Sequence, residues 1–153
     1  MSDYVRALRA KIGNDLLLMP SVAALIRDDK GRILHVQHVE GRWMLPGGAV
    51  DPGERPAEAV CRECLEEAGI VIEPLRIAGV FGGPEYRHTY ANGDRIAWII
   101  TVFEARILEG EPKPSDDETQ DVRWFTPQEL ETVERSPASC ETMRRLLAGE
   151  TFA

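Results

Sequence analysis

The chain has 153 residues, 43% hydrophobic and 29% charged, which suits one globular domain with a sizeable core. A net charge of −8 disfavours a general nucleic-acid binder, and no apolar run approaches the roughly 20 residues that span a bilayer. Three cysteines close no disulfide framework, and the opening MSDYVRALRAK has no apolar signal segment, so a cytoplasmic protein is expected.

In chain order, residues 3–12 are helix-prone, with Tyr4, Leu8 and Ile12 at four-residue spacing and Gly13 as the stop. VAALI, 22–26, reads as a buried strand. Asp28-Asp29-Lys30-Gly31 is a turn, from which RILHVQHV returns as a second strand. RWMLPGGAVDPGERP is extended and rich in Gly and Pro. A helix follows from about Pro56 to Ala68, with Pro56 in its first turn and Gly69 as its C-terminal stop. IVIEPLRIAGVF reads as a strand. GGPEYRHTYANGDR is a loop or hairpin turning at Asn92-Gly93, and IAWIITVFEARI is the longest strand and a central one. An acidic loop, GEPKPSDDETQ, leads to the short strand DVRWF. Thr126 and Glu129 form a capping box for a helix, and a last helix covers about Pro137 to Ala148. This order lacks a strict strand–helix–strand rhythm and predicts a single α/β domain over 1–153, with a mixed sheet between helices.

On a helix over 57–68, Ala57, Val60, Cys61, Cys64, Leu65 and Ala68 fall on an apolar arc of roughly 140°. Glu63, Glu66 and Glu67 share a different arc of about 100°, at spacings that let their carboxylates converge. Like charges so placed destabilise a helix by a few tenths of a kcal/mol per pair. Two readings fit: a solvated acidic face, or a hard-cation site of oxygen ligands for Mg²⁺. The preceding Leu45-Pro46-Gly47-Gly48 shifts the balance to the cation. Paired glycines let backbone approach a ligand, and Glu54 adds a carboxylate. A cation between protein and phosphate also reconciles an acidic chain with an anionic substrate.

GAVDPGERPAEAVCRECLEEAGI, residues 48–70, resembles the box of the Nudix hydrolases, G-x5-E-x7-R-E-U-x-E-E-x-G-U with U a bulky aliphatic residue. Gly48, Glu54, Arg62, Glu63, Glu66, Glu67, Gly69 and Ile70 match at the required spacing, and only Cys64 departs, as a small hydrophobe in an aliphatic position. The resemblance implies the family's α/β/α sandwich. It implies hydrolysis of a nucleoside diphosphate linked to another moiety, and Mg²⁺ or Mn²⁺ on Glu63, Glu66 and Glu67, with the Gly48 or Gly47 carbonyl completing the shell. Arg62 would pair with Glu54 and orient a catalytic glutamate. The base that activates water would be Glu63 or a residue outside the box, Glu118 first and Asp117 in reserve, against a merely solvated acidic loop. Family members often dimerise, which leaves a homodimer open. The partner is a small nucleotide, with no nucleic acid and no membrane.

Cys61 and Cys64 form a C-x-x-C, but they lie mid-helix on the apolar arc rather than at a helix N-terminus, so they read as core packing and not a redox pair. His35 and His38 stand three apart on a strand, point to opposite faces and do not make a zinc site with them. Trp43 and Trp98 read as core. Arg27 and Arg42 are candidates to meet phosphate, against ordinary exposure. The segment after the box should rim the pocket, with Tyr86 or Tyr90 stacking on a base and Arg87 or His88 reaching phosphate or ribose, against exposure at a hairpin tip. Pro84 resembles a marker of ADP-ribose pyrophosphatases and Tyr86 one of dinucleoside polyphosphate hydrolases. ADP-ribose or a nucleotide sugar is slightly favoured. A (deoxy)nucleoside triphosphate or dinucleoside polyphosphate hydrolase is the alternative within enzymes, and a non-catalytic nucleotide-binding regulator the alternative outside them.

Overall fold

A computed structural model describes residues 3–153. The elements follow the order α1 Asp3–Ile12, β1 Leu17–Ile26, β2 Ile33–His38, β3 Trp43–Met44, β4 Gly47–Ala49, α2 Pro56–Ala68 and β5 Val71–Phe81. After a single 3₁₀ turn at Pro84–Tyr86 come β6 Arg87–Thr89, β7 Arg95–Glu109, β8 Thr119–Phe125, α3 Pro127–Leu130 and α4 Pro137–Leu147.

The strands form two sheets rather than one. A mixed sheet runs β4-β1-β7-β5, with β6 also on β7; β1 and β7 are parallel and the other pairings antiparallel. A second, antiparallel sheet runs β3-β2-β8. β7, 15 residues long, is central as expected. The expected β1–β2 hairpin is corrected. Asp28 does organise the turn, accepting from the Lys30 N–H at 3.0 Å and the Arg32 N–H at 2.8 Å. Beyond one bridge between Arg27 and Ile33, however, the strands part into different sheets. Val22 to Ile26 are all buried, and β4 and β7 already take both edges of β1, so β2 pairs elsewhere.

α2 covers one side of the sheets. Val22, Ala24 and Ile26 of β1 and Leu34 and Val36 of β2 pack there against Ala59, Val60, Cys64 and Ala68. The opposite side is closed by α3 and α4, where Leu25, Ile33, Trp43, Phe81 and Phe125 meet Leu130 and Met143. Capping explains the helix ends. Gly69 takes the left-handed conformation at φ 65° that closes α2, Ser136 caps α4, and the Thr126–Glu129 capping box opens α3, which is a single turn. At the C-terminus, the Val80 N–H donates to the Thr151 carbonyl at 2.8 Å, so the last residues run alongside β5.

Candidate active site

The box helix is turned further into the protein than its apolar arc suggests. Ala57 and Leu65 are exposed, the latter by 52%, while Glu67 is only 4% exposed and sits beside Cys64 on the buried side. The arc alone does not say which of its edges meets the core. Here Glu63 and Glu67 lie on the buried edge and Glu66 faces solvent.

Arg62 gathers the first group of carboxylates. Its Nε and Nη2 donate to Glu54 Oε1 and Oε2 at 2.8 and 3.0 Å, its Nη2 also to the Ala49 carbonyl at 3.1 Å, and its Nη1 to Glu63 at 2.8 Å and Glu66 at 3.3 Å. This fork holds the Glu54 carboxyl below its ordinary range, chiefly through the direct hydrogen bonds. Glu63 moves the other way: burial lifts it to about 7 despite the Arg62 contact.

The LPGG segment brings backbone onto the same helix. The Gly47 N–H donates to Glu67 Oε2 at 2.9 Å. A Cβ on Gly48 would stand 2.4 Å from Glu63 Oε1, so the carboxylate occupies the space that any other residue would fill. Glu67 Oε1 accepts from His38 Nε2 at 2.7 Å. Burial pushes the Glu67 carboxyl up, and the contact with Glu67 pushes the His38 imidazole up. The acidic loop closes over this end of α2: the Lys113 and Ser115 N–H groups donate to the Ala68 and Glu67 carbonyls, both at 3.1 Å, and the Val39 N–H donates to the Glu118 carbonyl at 3.1 Å. Asp116 accepts from the N–H groups of Glu118 and Thr119 at 3.1 and 2.8 Å and turns the loop there.

As placed, the three glutamates do not converge. Among the described residues, no three His, Cys, Asp or Glu side chains surround one point as a metal shell would. Each carboxylate takes the cation within reach, Arg62 for Glu63 and Glu66 and His38 for Glu67. The donor set nevertheless fits a hard divalent cation. It is all oxygen, it stands on one helix with Glu63 against the backbone of Gly48, and burial pushes the Glu63 and Glu67 carboxyls up even beside Arg62 and His38.

Residues expected around the pocket are dispersed. Tyr86 is corrected from a stacking residue to a core one: it is 1% exposed, and its phenol oxygen accepts from the Thr142 hydroxyl at 3.1 Å. The 3₁₀ turn before β6 swings it inward onto α4. Tyr90 is exposed at the β6–β7 hairpin, with its ring edge-to-face on His88 at 4.5 Å, and Arg87 is exposed on β6. Arg42 lies 4.0 Å from Glu134, and Arg27 lies 3.9 Å from Glu104. Trp43 is core, edge-to-face with Phe125, and Trp98 is half-buried between two apolar clusters. His35 is buried against Phe125, on the opposite side of β2 from His38. Cys64 is buried and Cys61 half-buried, with its thiol on the Ile72 carbonyl; burial raises both thiols. His38 and Asp116 are the residues of this site that sequence reasoning missed. In the sequence His38 suggests only half of a zinc pair, and Asp116 stands next to the candidate bases Asp117 and Glu118.

The NUDIX domain model matches residues 17–146. The chain belongs to the Nudix family. It is 33% identical over 111 residues to a MutT-like protein of Streptomyces ambofaciens, covering 72% of this chain and 65% of that one. It is 33% identical over 122 residues to the 8-oxo-dGDP phosphatase NUDT18 of Mus musculus, covering 75% of this chain and 34% of that one. The chain thus spans less than two thirds of the length of either relative. To the nucleoside triphosphatase NudI of Escherichia coli O1:K1 it is 34% identical over 110 residues, covering 68% of this chain and 75% of that one. The crystal structure of a MutT protein from Methanosarcina mazei Go1 superposes with a TM-score of 0.71 at 30% identity, covering 88% of this chain and 96% of that one. The two-sheet Nudix architecture described above is therefore shared with solved members of the family.

Proposed function

We propose that this Nudix protein is a metal-dependent pyrophosphohydrolase of small nucleotides, acting on nucleoside triphosphates or their deoxy forms. The observation that carries the reading is the carboxylate set on α2: Glu63 against the backbone of Gly48, and Glu67 buried beside it on the Gly47 N–H. A regulator that only binds nucleotides has no use for the cost of burying the Glu67 carboxyl and half-burying that of Glu63.

Triphosphates are preferred here over the ADP-ribose or nucleotide sugar that the sequence slightly favours. The relative that supports this is NudI, named a nucleoside triphosphatase and covered over 75% of its length. Tyr86, the marker shared with dinucleoside polyphosphate hydrolases, is buried, which removes its support for that substrate. Pro84 is exposed and opens the 3₁₀ turn.

Glu63, Glu66 and Glu67 would hold Mg²⁺ or Mn²⁺ with the Gly48 carbonyl. When bound, such an ion cancels charge on the phosphate oxygens and favours a water that attacks at neutral pH. Arg62 keeps Glu63 aimed through the fork it shares with Glu54. Water attacks one phosphorus, the bond to the bridging oxygen breaks, and the phosphorylated group leaves with that oxygen. The proton of the water passes to a carboxylate, Glu118 on the loop held to α2 or Glu63 in the box. The deciding experiment is a panel of nucleoside triphosphates, 8-oxo-dGDP and ADP-ribose, assayed with and without Mg²⁺ and with products identified. Metal-dependent release from triphosphates is expected, and absence of metal-dependent turnover on every member would overturn the enzyme reading.

A further inference from the structure

Glu67 is a buried carboxylate on a long flexible side chain, and as a metal ligand it needs something to hold it in one orientation. Three features of β2 supply it. The pairing of β2 with β8 runs in register from Ile33 to Gln37, and the next pair, His38 with Thr119, skips Gln120, so the extra residue lies on β8 where it leaves the acidic loop. β2 itself keeps its alternation, so His38 follows Leu34 and Val36 on the face towards α2, while the bulge on β8 is of a kind that recurs beside active sites. Both backbone groups of His38 are held by the turn that follows: its N–H donates to the Arg42 carbonyl at 3.2 Å, and its carbonyl accepts from the Gly41 N–H at 2.7 Å. Its imidazole Nε2 then reaches Glu67 Oε1 at 2.7 Å, while Gly47 holds the other oxygen at 2.9 Å.

We propose that His38 is the positioning residue for Glu67, its Nε2–H holding the carboxylate in the orientation from which it would serve a divalent cation. The proposal rests on the metal-dependent reading above and adds a residue that lies outside the box. The role needs a donor at the Nε2 position and a rigid backbone beneath it. Rotation of a free glutamate would otherwise have to be arrested each time the ion binds, and outer partners of metal ligands are typically worth 10- to 100-fold in metal affinity or rate.

The test measures Mn²⁺ binding in the absence of nucleotide, by electron paramagnetic resonance of the free ion, for the full chain and two variants. His38→Ala removes the donor, whereas His38→Gln places an amide N–H close to Nε2. The expected result is a Kd for Mn²⁺ raised about 10- to 100-fold in His38→Ala and largely restored in His38→Gln. In turnover, kcat should fall in His38→Ala with the nucleotide KM little changed. His38 is partly exposed, with 27% of its side chain accessible, so circular dichroism and thermal unfolding in EDTA should match the parent. Equal or tighter Mn²⁺ binding by His38→Ala overturns the proposal, as does a His38→Gln variant as weak as His38→Ala. If the unaltered chain binds no Mn²⁺ at all, the metal-dependent reading itself falls, an outcome distinct from a failure of His38 alone.

Discussion

Arg62 grips Glu54 through two parallel hydrogen bonds, at 2.8 and 3.0 Å, while its third nitrogen reaches Glu63. A planar guanidinium can make these contacts together, and an ammonium cannot. Arg62→Lys should therefore behave like a loss rather than a conservative change. We expect kcat to fall about 10- to 100-fold in both Arg62→Lys and Glu54→Gln, with unchanged circular dichroism. Full activity in Arg62→Lys would show that charge alone, not the fork, is what Glu63 needs.

Glu67→Gln keeps an oxygen for the Gly47 N–H but removes the charge. The rate should drop by at least about a hundredfold with the fold intact, because a lost ligand charge weakens transition-state stabilisation by several kcal/mol. Glu118→Gln tests the base. A general base contributes about 10²- to 10⁴-fold, so a loss within that range assigns the proton to Glu118. An unchanged rate assigns it to Glu63. Initial rates with saturating Mg²⁺ separate the two.

The paired glycines should respond differently to alanine. At Gly47 the new methyl would stand 2.1 Å from the Val22 carbonyl oxygen, which is fixed in the centre of a sheet. Overpacking against backbone costs roughly 3 kcal/mol or more, and Gly47→Ala should lower the urea midpoint sharply or fail to fold. At Gly48 the obstacle is the end of the Glu63 side chain, 2.4 Å away, which can swing aside. Gly48→Ala should keep most of its stability and lose its activity. Equal stability losses in the two variants would contradict this contrast.

The two cysteines of the box helix are packing groups of unequal weight. Cys64 is fully buried among apolar side chains, whereas the Cys61 thiol already donates to the Ile72 carbonyl at 3.7 Å. A serine hydroxyl has no ready partner at 64, so Cys64→Ser should cost about 1–3 kcal/mol. Cys61→Ser should cost less. Both should retain catalysis below their melting temperatures, and a folded double variant without activity would mean the thiols take part in the chemistry.

Local signals proved the most legible part of the fold. Pro56 and Gly69 bracket α2 where they were read, and Thr126 with Glu129 makes the expected capping box, because caps depend on residues a few positions apart. Partner choice was hidden. The Asp28 turn looks like a hairpin in sequence, but both edges of β1 are claimed by β4 and β7 from farther along the chain. The site divides in the same way. Glu54, Arg62, Glu63 and Gly48 were readable from spacing within one segment, and their contacts follow it. His38 was not readable, since its contact with Glu67 joins two elements whose packing no local spacing announces. Tyr86 misled because a 3₁₀ turn, silent in the polar pattern, carries it into the core.

His35 supplies a test of acid stability that is independent of the active site. It is fully buried, with Nδ1 3.4 Å from the Ile33 carbonyl and Nε2 without a hydrogen-bond partner among the described residues. Burial pushes its pKa down to about 4, with the charge of Arg135 acting in the same direction. The folded protein then binds fewer protons at His35 than the unfolded chain does between the two pKa values. Stability is present above an unfolded value near 6.5 and is lost as pH falls towards 4, by up to an amount on the order of 3 kcal/mol. His35→Leu cannot titrate. Urea unfolding at pH 7 and pH 4.5 should show a smaller acid loss in His35→Leu than in the parent, whatever the two stabilities at pH 7. An identical loss in both would mean that the acid sensitivity lies with the carboxylates and not with this imidazole.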